Sequence, residues 1–113
     1  MSKFDEAMSD YMSQSNDLNL GLDEALLKGI AKSLGPSIYN ADSSKVSCSD
    51  QEEKDRVKNN FLINKLGLED SADLGAAVDA VCEQLGSSNR NKYRAVFYAL
   101  LAKKFGKESQ FTS

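Results

Sequence analysis

The sequence contains no histidine, two cysteines and a single proline. Without imidazole, the chain cannot build a Ser-His or Cys-His catalytic pair or any metal site that uses histidine ligands. It also has no phosphate-binding GxxxxGK[ST] loop, no dinucleotide-binding fingerprint and no CxxC pair. We therefore expect a non-enzymatic protein with no metal site and no cofactor.

Long apolar runs are missing as well. The longest covers residues Ala95–Ala102, far short of the roughly 20 residues that a membrane-spanning helix needs. Asp5 and Glu6 stand where a secretory signal would have a basic start and an apolar run. The two distant cysteines permit a disulfide, which a chain with 41% hydrophobic residues does not need in order to fold. We expect a soluble, cytoplasmic protein with no membrane partner.

Apolar residues recur at helical spacing in five segments, and none alternates strictly as a half-buried strand does. The fifth segment is apolar around so much of its circumference that it is expected at the centre of the fold. This pattern predicts an all-α protein, a compact bundle of about five helices. The stripes are Phe4, Met8, Tyr11 and Met12; Leu27, Ile30, Ala31 and Leu34; Val57, Phe61, Leu62 and Leu66; Leu74, Ala77, Val78, Val81, Cys82 and Leu85; and Tyr93, Val96, Phe97, Leu100 and Leu101.

Capping residues, glycines and the proline predict where these helices begin and end. The domain is expected to cover residues 1–107, with a flexible tail over 108–113. The first predicted helix follows Ser2 and fades in residues 13–19, and the second runs from near Leu22 to Gly35-Pro36. The third begins at a capping box of Ser49 and Glu52 and ends at Gly67. The fourth follows Ser71 and ends at Gly86, and the fifth follows Ser88.

An internal repeat is one interpretation of this pattern. Leu34-Gly35 aligns with Leu85-Gly86, and Leu66-Gly67 aligns with Phe105-Gly106, with apolar residues in matching positions before them. The alignment predicts two similar helix-loop-helix halves. The alternative is that any two amphipathic helices ending in glycine align in this way.

Charge is unevenly distributed along the chain. Residues 1–86 hold 8 Lys/Arg and 16 Asp/Glu, a balance of −8, whereas residues 87–113 hold 6 and 1, a balance of +5. This asymmetry has three interpretations: an anionic partner, a complementary surface on another copy, or pairing between the two regions within one molecule.

The basic run before and within the fifth helix is the candidate binding site. Ser88, Arg90, Lys92 and Arg94 would place a hydroxyl and three cations at a helix N-terminus, where the helix dipole already favours anions. They can hold a phosphate, a nucleic-acid backbone or a partner's carboxylates. The alternative is that acids of the same chain compensate these cations, with Glu69, Asp70 and Asp73 as candidates. Because the pI is about 4.9, nucleic acid is the less favoured partner.

Cys48 directly precedes the third predicted helix, where the helix dipole can lower the pKa of a thiol. A reactive thiol is therefore one interpretation. Nothing in the sequence places a base beside it, which favours an inert thiol. Cys82 lies on the apolar stripe of the fourth helix and is expected in the core.

Four segments resemble a known family: Leu34–Asn40, Val46–Asp50, Val57–Leu62 and Ser88–Tyr98. The family consists of small bacterial proteins catalogued as domain of unknown function 2853. The resemblance extends from about Leu34 to Lys107 and implies a bacterial, cytoplasmic protein. It brings no activity, cofactor or catalytic residue with it.

Three hypotheses about function follow. The first is a protein-interaction module with an acidic body and a basic C-terminal helix, whose partner is another protein or a second copy of the chain. The second is an anion or nucleic-acid binder that uses Ser88, Arg90, Lys92 and Arg94. The third is an enzyme that works with carboxylates, lysine or Cys48.

Overall fold

The computed structural model describes residues 3–40, 45–86 and 92–112 of the chain. The described residues form no strand, although an isolated antiparallel bridge joins Lys45 to Tyr93. The predicted all-α bundle is confirmed. Its elements are α1 (Lys3–Asp17), α2 (Glu24–Leu34), a 3₁₀ turn (Gly35–Tyr39), α3 (Gln51–Val57), a π-helical segment (Lys58–Ile63) that continues α3, α4 (Ala72–Leu85), α5 (Arg94–Lys104) and the short α6 (Ser109–Thr112).

Helix α5 lies at the centre of the bundle, as its sequence predicts. Every residue from Ala95 to Ala102 is buried, and the helix contacts α1, α2 and α4. Because α5 has apolar residues on all sides, it can bury its whole circumference only when other helices surround it. The remaining helices therefore present one apolar face inward and one polar face to solvent.

The predicted stripes are confirmed as the core in most positions. On α3 and its π-helical continuation, Val57, Phe61 and Leu62 are buried, and Leu66 in the following turn is buried with them. The exceptions lie at the edge of the core, where five members of the predicted stripes are only half-buried: Phe4, Met12, Leu34, Cys82 and Tyr93. The exposed parts of Phe4 and Met12 shape one of the surfaces described below.

Helix α1 continues through the polar stretch in which the sequence predicted that it would fade. It ends at Asp17, and Ser15 in that stretch is buried. The backbone N–H of Leu22 donates a hydrogen bond to the Ser15 hydroxyl at 3.2 Å. This bond satisfies the buried hydroxyl and ties the end of α1 to the connection that leads into α2.

The start of α3 differs from the predicted capping box by one residue. Asp50, rather than Ser49, is the N-cap, and its carboxylate accepts a hydrogen bond from the backbone N–H of Glu52 at 3.0 Å. Both residue types are good N-caps. The backbone at Asp50 is extended, and its side chain is the one that reaches the exposed N–H groups of the first turn.

The fifth helix begins later than predicted. Tyr93 is the N-cap of α5, with extended φ and ψ of −57° and 132°, and Lys92 is not helical. The chain is extended here because the backbone N–H of Val46 donates to the Lys92 carbonyl at 2.8 Å, in the bridge between Lys45 and Tyr93. The predicted start after Ser88 is therefore wrong for residues 92–93, while Ser88 itself lies outside the described residues.

The C-terminal segment packs against α2. Sequence analysis assigned residues 108–113 to a flexible tail, whereas Ser109–Thr112 form the helical turn α6 in the structure. The Phe111 ring stacks on Phe61 with centroids 6.1 Å apart. On α2, a Cβ atom at Gly29 would overlap the Phe111 backbone carbonyl, so α6 approaches as closely as it does because residue 29 has no side chain.

Candidate functional site

The described part of the predicted anion site lies at the start of α5. Lys92 is buried, with 7% of its surface exposed, and its backbone carbonyl is bonded to Val46. Arg94 is the first residue of α5. Ser88 and Arg90 lie outside the described residues, so binding by the four residues as a set stays a prediction.

The Arg94 guanidinium is bonded within the chain. It donates to the Glu53 carboxylate at 2.5 Å, to the Tyr98 hydroxyl at 3.0 Å and to the Lys45 carbonyl at 3.3 Å. The side chains of Arg94 and Glu53 are each 14% exposed. Arg56 approaches the second Glu53 oxygen at 3.2 Å, so one carboxylate lies between two guanidinium groups.

These contacts keep Arg94 charged. Burial alone would lower its pKa, but Tyr98 and Glu53 outweigh burial and raise the pKa above its ordinary value. The acid that compensates Arg94 is thus Glu53, 41 positions away in sequence, and not one of the three acids considered from the sequence. The pair fixes the start of α5 against α3, and it uses the donors that an anion would need.

The two cysteines form a disulfide. Cys48, in the connection before α3, is joined to Cys82 on α4, with their Cα atoms 5.9 Å apart. Both residues are half-buried. Cys82 packs against the edge of the core as half of a disulfide rather than lying fully inside it. Cys48 in this form is neither a reactive nor an inert thiol. A nucleophilic role for Cys48 first requires reduction of the bond.

A group of tyrosines lies between α1 and the start of α5. The rings of Tyr11 and Tyr93 meet edge to face with centroids 5.4 Å apart, and the Lys45 ammonium lies 5.9 Å from the Tyr93 centroid. Burial, together with Tyr39, Tyr93 and Asp10, raises the pKa of Tyr11 to about 12. Tyr11 therefore stays protonated at neutral pH and serves as a packing residue in the core.

A dense group of carboxylates covers α1 and the start of α2. Six acids are exposed there: Asp5, Glu6, Asp10, Asp17, Asp23 and Glu24, which we call the acidic surface. Residues 3–28 contain these six acids and two bases, Lys3 and Lys28, a balance of −4. All six residues are exposed, so the acidic surface presents its charge to solvent.

A groove runs between α1 and α2, and two of these six acids, Asp5 and Glu24, line it. Its floor is formed by Phe4, Met8 and Met12, which follow one another along α1 at intervals of four residues. Met8 is 9% exposed, and Phe4 and Met12 are half-buried. The groove is therefore the place where the apolar stripe of α1 extends past the edge of α2 into solvent.

Polar side chains border this floor on both sides. Asp5 and Ser9 lie along α1, and Glu24 and Lys28 lie one turn apart on α2. All four are exposed, and the groove encloses about 270 Å³.

The sequence contained a partial signal for this groove and almost none for the Arg94 cluster. The sequence shows the apolar stripe that contains Phe4, Met8 and Met12. Periodicity alone does not tell which residues of the stripe a neighbouring helix leaves uncovered. Nothing in a single sequence relates Glu53 to Arg94, 41 positions away. Of the described part of the chain, no helix is both long and apolar enough to cross a membrane, and no three Cys, Asp or Glu side chains converge as a metal site would require.

A comparison with family models gives one match that covers nearly the whole chain. The family is described as "Protein of unknown function (DUF2853)", and its model matches residues 8–109. No curated protein matches the chain. The matched region includes every element from α2 to α5 and most of α1.

Proposed function

Since the chain belongs to the DUF2853 family, whose description assigns no function, we propose from its structure that it is a non-enzymatic interaction module that binds a protein through the acidic surface. The observation that supports this proposal is the exposure of six carboxylates on two adjacent elements, with a net charge of −4 over residues 3–28. Such a surface attracts a basic partner and repels nucleic acid.

The bonding state of the other candidate residues supports the same choice. Arg94 donates to Glu53, Tyr98 and Lys45, and Lys92 is buried. An anion at this point would have to compete with a carboxylate 2.5 Å away.

A cytoplasmic location is part of the proposal. In that compartment, glutathione and thioredoxin keep most cysteines reduced, so the Cys48–Cys82 bond would form only under oxidising conditions. The broad apolar core gives the fold a source of stability other than this bond. Maleimide labelling in intact cells tests the location: two labelled thiols support a reducing compartment, and complete protection contradicts it.

A photocrosslinker on the acidic surface tests the interaction itself. Ser13 is exposed on α1, and it lies on the helix face of Glu6 and Asp17. With p-benzoylphenylalanine at position 13, we expect one covalent adduct in cells that naturally produce the protein, identified by mass spectrometry. The same group at Gln84, exposed on α4, is the matched control and should give no adduct.

Charge reversal then links the adduct to the acids. The double substitution Glu6→Lys and Asp10→Lys should abolish it, whereas Glu69→Lys with Glu83→Lys, an equal change of charge elsewhere, should not. An adduct that contains a second copy of the chain identifies the partner as the protein itself. The proposal fails if no adduct forms, or if both double variants reduce it equally.

A further inference from the structure

We infer that the Cys48–Cys82 pair is a redox switch: the disulfide holds the connection before α3 against the start of α5, and reduction releases it. The connection consists of residues 45–50, and Cys82 lies on α4. Disulfides of cytoplasmic proteins are usually transient and serve catalysis or redox sensing. The inference therefore rests on the cytoplasmic location that is part of the proposed function, and it is tested on purified protein so that the two can fail separately.

The disulfide joins two parts of the molecule that are held with different firmness. Helix α4 belongs to the core, and its residues Leu74, Val78 and Val81 are buried. Within residues 45–50, Val46 is the single buried residue. Breaking the bond therefore acts mainly on the connection, because α4 is held in place by its own packing.

Few contacts other than the disulfide hold the connection against α5. The backbone N–H of Val46 donates to the Lys92 carbonyl at 2.8 Å, and the Arg94 guanidinium donates to the Lys45 carbonyl at 3.3 Å. The Lys45 ammonium lies 5.9 Å from the centroid of the Tyr93 ring. Water competes for the same polar groups, so each contact contributes little. In the reduced protein these contacts act alone against the conformational entropy that the connection gains on release.

Helix α3, which follows the connection, has attachments of its own. Lys54 pairs with Asp79 on α4 at 3.1 Å, and Glu53 pairs with Arg94 on α5. Both pairs lie outside residues 45–50 and do not depend on the disulfide. The release is therefore limited to the connection, and α3 stays docked.

The half-buried position of both cysteines gives a thiol reductant access to the bond. A thiolate of a dithiol reductant attacks one of the two sulfurs, the S–S bond breaks and a mixed disulfide forms. The second thiol of the reductant then displaces the protein and closes the reductant's own disulfide. Two electrons and two protons pass to Cys48 and Cys82, which become thiols. Oxidised glutathione reverses these steps and is itself reduced to two molecules of glutathione.

Release of the connection and reduction of the bond favour each other. A coupling between two equilibria is reciprocal, so a bond that orders the connection is itself weakened by the tendency of the connection to open. It is therefore reduced more readily than a disulfide between two fixed elements. Release exposes the Val46 side chain and separates the Val46 N–H from the Lys92 carbonyl. The output of the switch is this newly exposed surface at the start of α5.

Redox titration of the purified protein tests the chemistry. The protein is equilibrated with glutathione buffers set to the poise of the cytosol and to the more oxidising poise of the endoplasmic reticulum. Its thiols are then trapped with maleimide and counted by mass spectrometry. We expect most molecules to carry two labels from the first buffer and none from the second. A pair that has the same state in both buffers overturns the switch.

Amide hydrogen exchange, measured by NMR, tests the movement. Reduction should speed exchange of the Val46 N–H by about tenfold or more, because the connection then opens locally. The Gly86 N–H, which donates to carbonyls at the end of α4, is the matched control and should change less than about twofold. Cys48→Ser/Cys82→Ser should match the reduced wild type in every buffer, and circular dichroism verifies that this variant is folded.

Urea distinguishes local release from general loss of stability in the reduced protein. Local opening exposes little surface, so low urea should leave exchange at Val46 unchanged. Exchange at Leu101, which is fully buried in α5, requires unfolding of the core and should accelerate.

The possible failures have different meanings. If reduction affects Val46 and Gly86 equally, or if Val46 responds to urea as Leu101 does, the bond is a structural cross-link and the switch is wrong. If the purified protein switches but both thiols are fully protected in intact cells, the cytoplasmic location is wrong. The pair would then stay closed in the cell, which also overturns the switch. The photoadduct at Ser13 tests the acidic surface independently of these results.

Discussion

Removing the Cys48–Cys82 disulfide should destabilise the protein without changing its fold. The bond joins the connection before α3 to α4, across 34 positions in sequence. A cross-link of this span restricts the unfolded chain. For such a loop, the chain-entropy relation gives a stabilisation of the folded state by about 4 kcal/mol at 25 °C. This stabilisation is a large part of the free energy of unfolding of roughly 6–17 kcal/mol expected for a domain of this length. The melting temperature should fall by roughly 15 °C.

The assay is urea unfolding of the wild type and of the Cys48→Ser/Cys82→Ser variant, each with and without dithiothreitol. The oxidised wild type should be the most stable sample. The reduced wild type and both samples of the variant should coincide, because all three lack the cross-link. Far-ultraviolet circular dichroism should be the same for all four in the absence of urea, since α5 and its neighbours form the core independently of the bond.

Two results would refute this reasoning. If the free energies of unfolding of the oxidised wild type and the variant differ by less than about 1 kcal/mol, the bond does not restrict the unfolded chain as the entropy relation assumes. Loss of helical structure in the variant would mean that the bond, rather than the apolar core, determines whether the chain folds.

Three further perturbations test other parts of the structure. Arg94→Gln and Glu53→Gln should each lower the free energy of unfolding, measured in urea, by about 1–3 kcal/mol, because each change leaves a partly buried partner uncompensated. The double variant should lose less than the sum of the two single losses. Losses that add exactly would contradict an interaction between the two residues. Gly29→Ala should displace α6, because the new Cβ overlaps its backbone, and trypsin should then cut the C-terminal segment faster. Gly75→Ala on α4 is the control, because a Cβ atom there meets open space, and it should raise the free energy of unfolding by up to about 1 kcal/mol. If trypsin cuts the Gly29→Ala and Gly75→Ala variants at the same rate, the close approach of α6 to α2 is contradicted. The pKa of Tyr11 is raised from 10.0 to about 12 in the folded protein. As the pH rises, the unfolded state therefore loses the Tyr11 proton at a lower pH than the folded state does. The free energy of unfolding should fall by up to about 3 kcal/mol between pH 10 and 12. Urea unfolding at several pH values measures the loss, and Tyr11→Phe should reduce the slope; an unchanged slope would assign it to other groups.

The bundle could be predicted from the sequence because helix periodicity and burial are local properties. Each stripe repeats within one segment, and the all-apolar circumference of α5 already placed it at the centre. The boundaries were predicted less well for a physical reason. Ser49 and Asp50 are both good N-caps, and only the backbone path decides between them. At Lys92, a hydrogen bond to Val46 keeps the chain extended where local sequence favoured a helix.

The candidate site depended on contacts between distant segments. Glu53 and Arg94 are 41 positions apart, and the half-cystines are 34 apart. Nothing in one sequence relates such pairs, because their proximity results from packing of helices that each have several possible neighbours. From the sequence, the acidic surface is visible only as a charge imbalance, and the structure adds that its six residues are exposed.

The position of α5 in the chain has a consequence for biosynthesis. Helix α5, against which α1, α2 and α4 pack, is translated after all three of them. Until α5 leaves the ribosome, these three helices lack the common partner against which they bury their apolar stripes. The nascent protein should therefore remain sensitive to proteases until α5 emerges, and then become resistant in a single cooperative step.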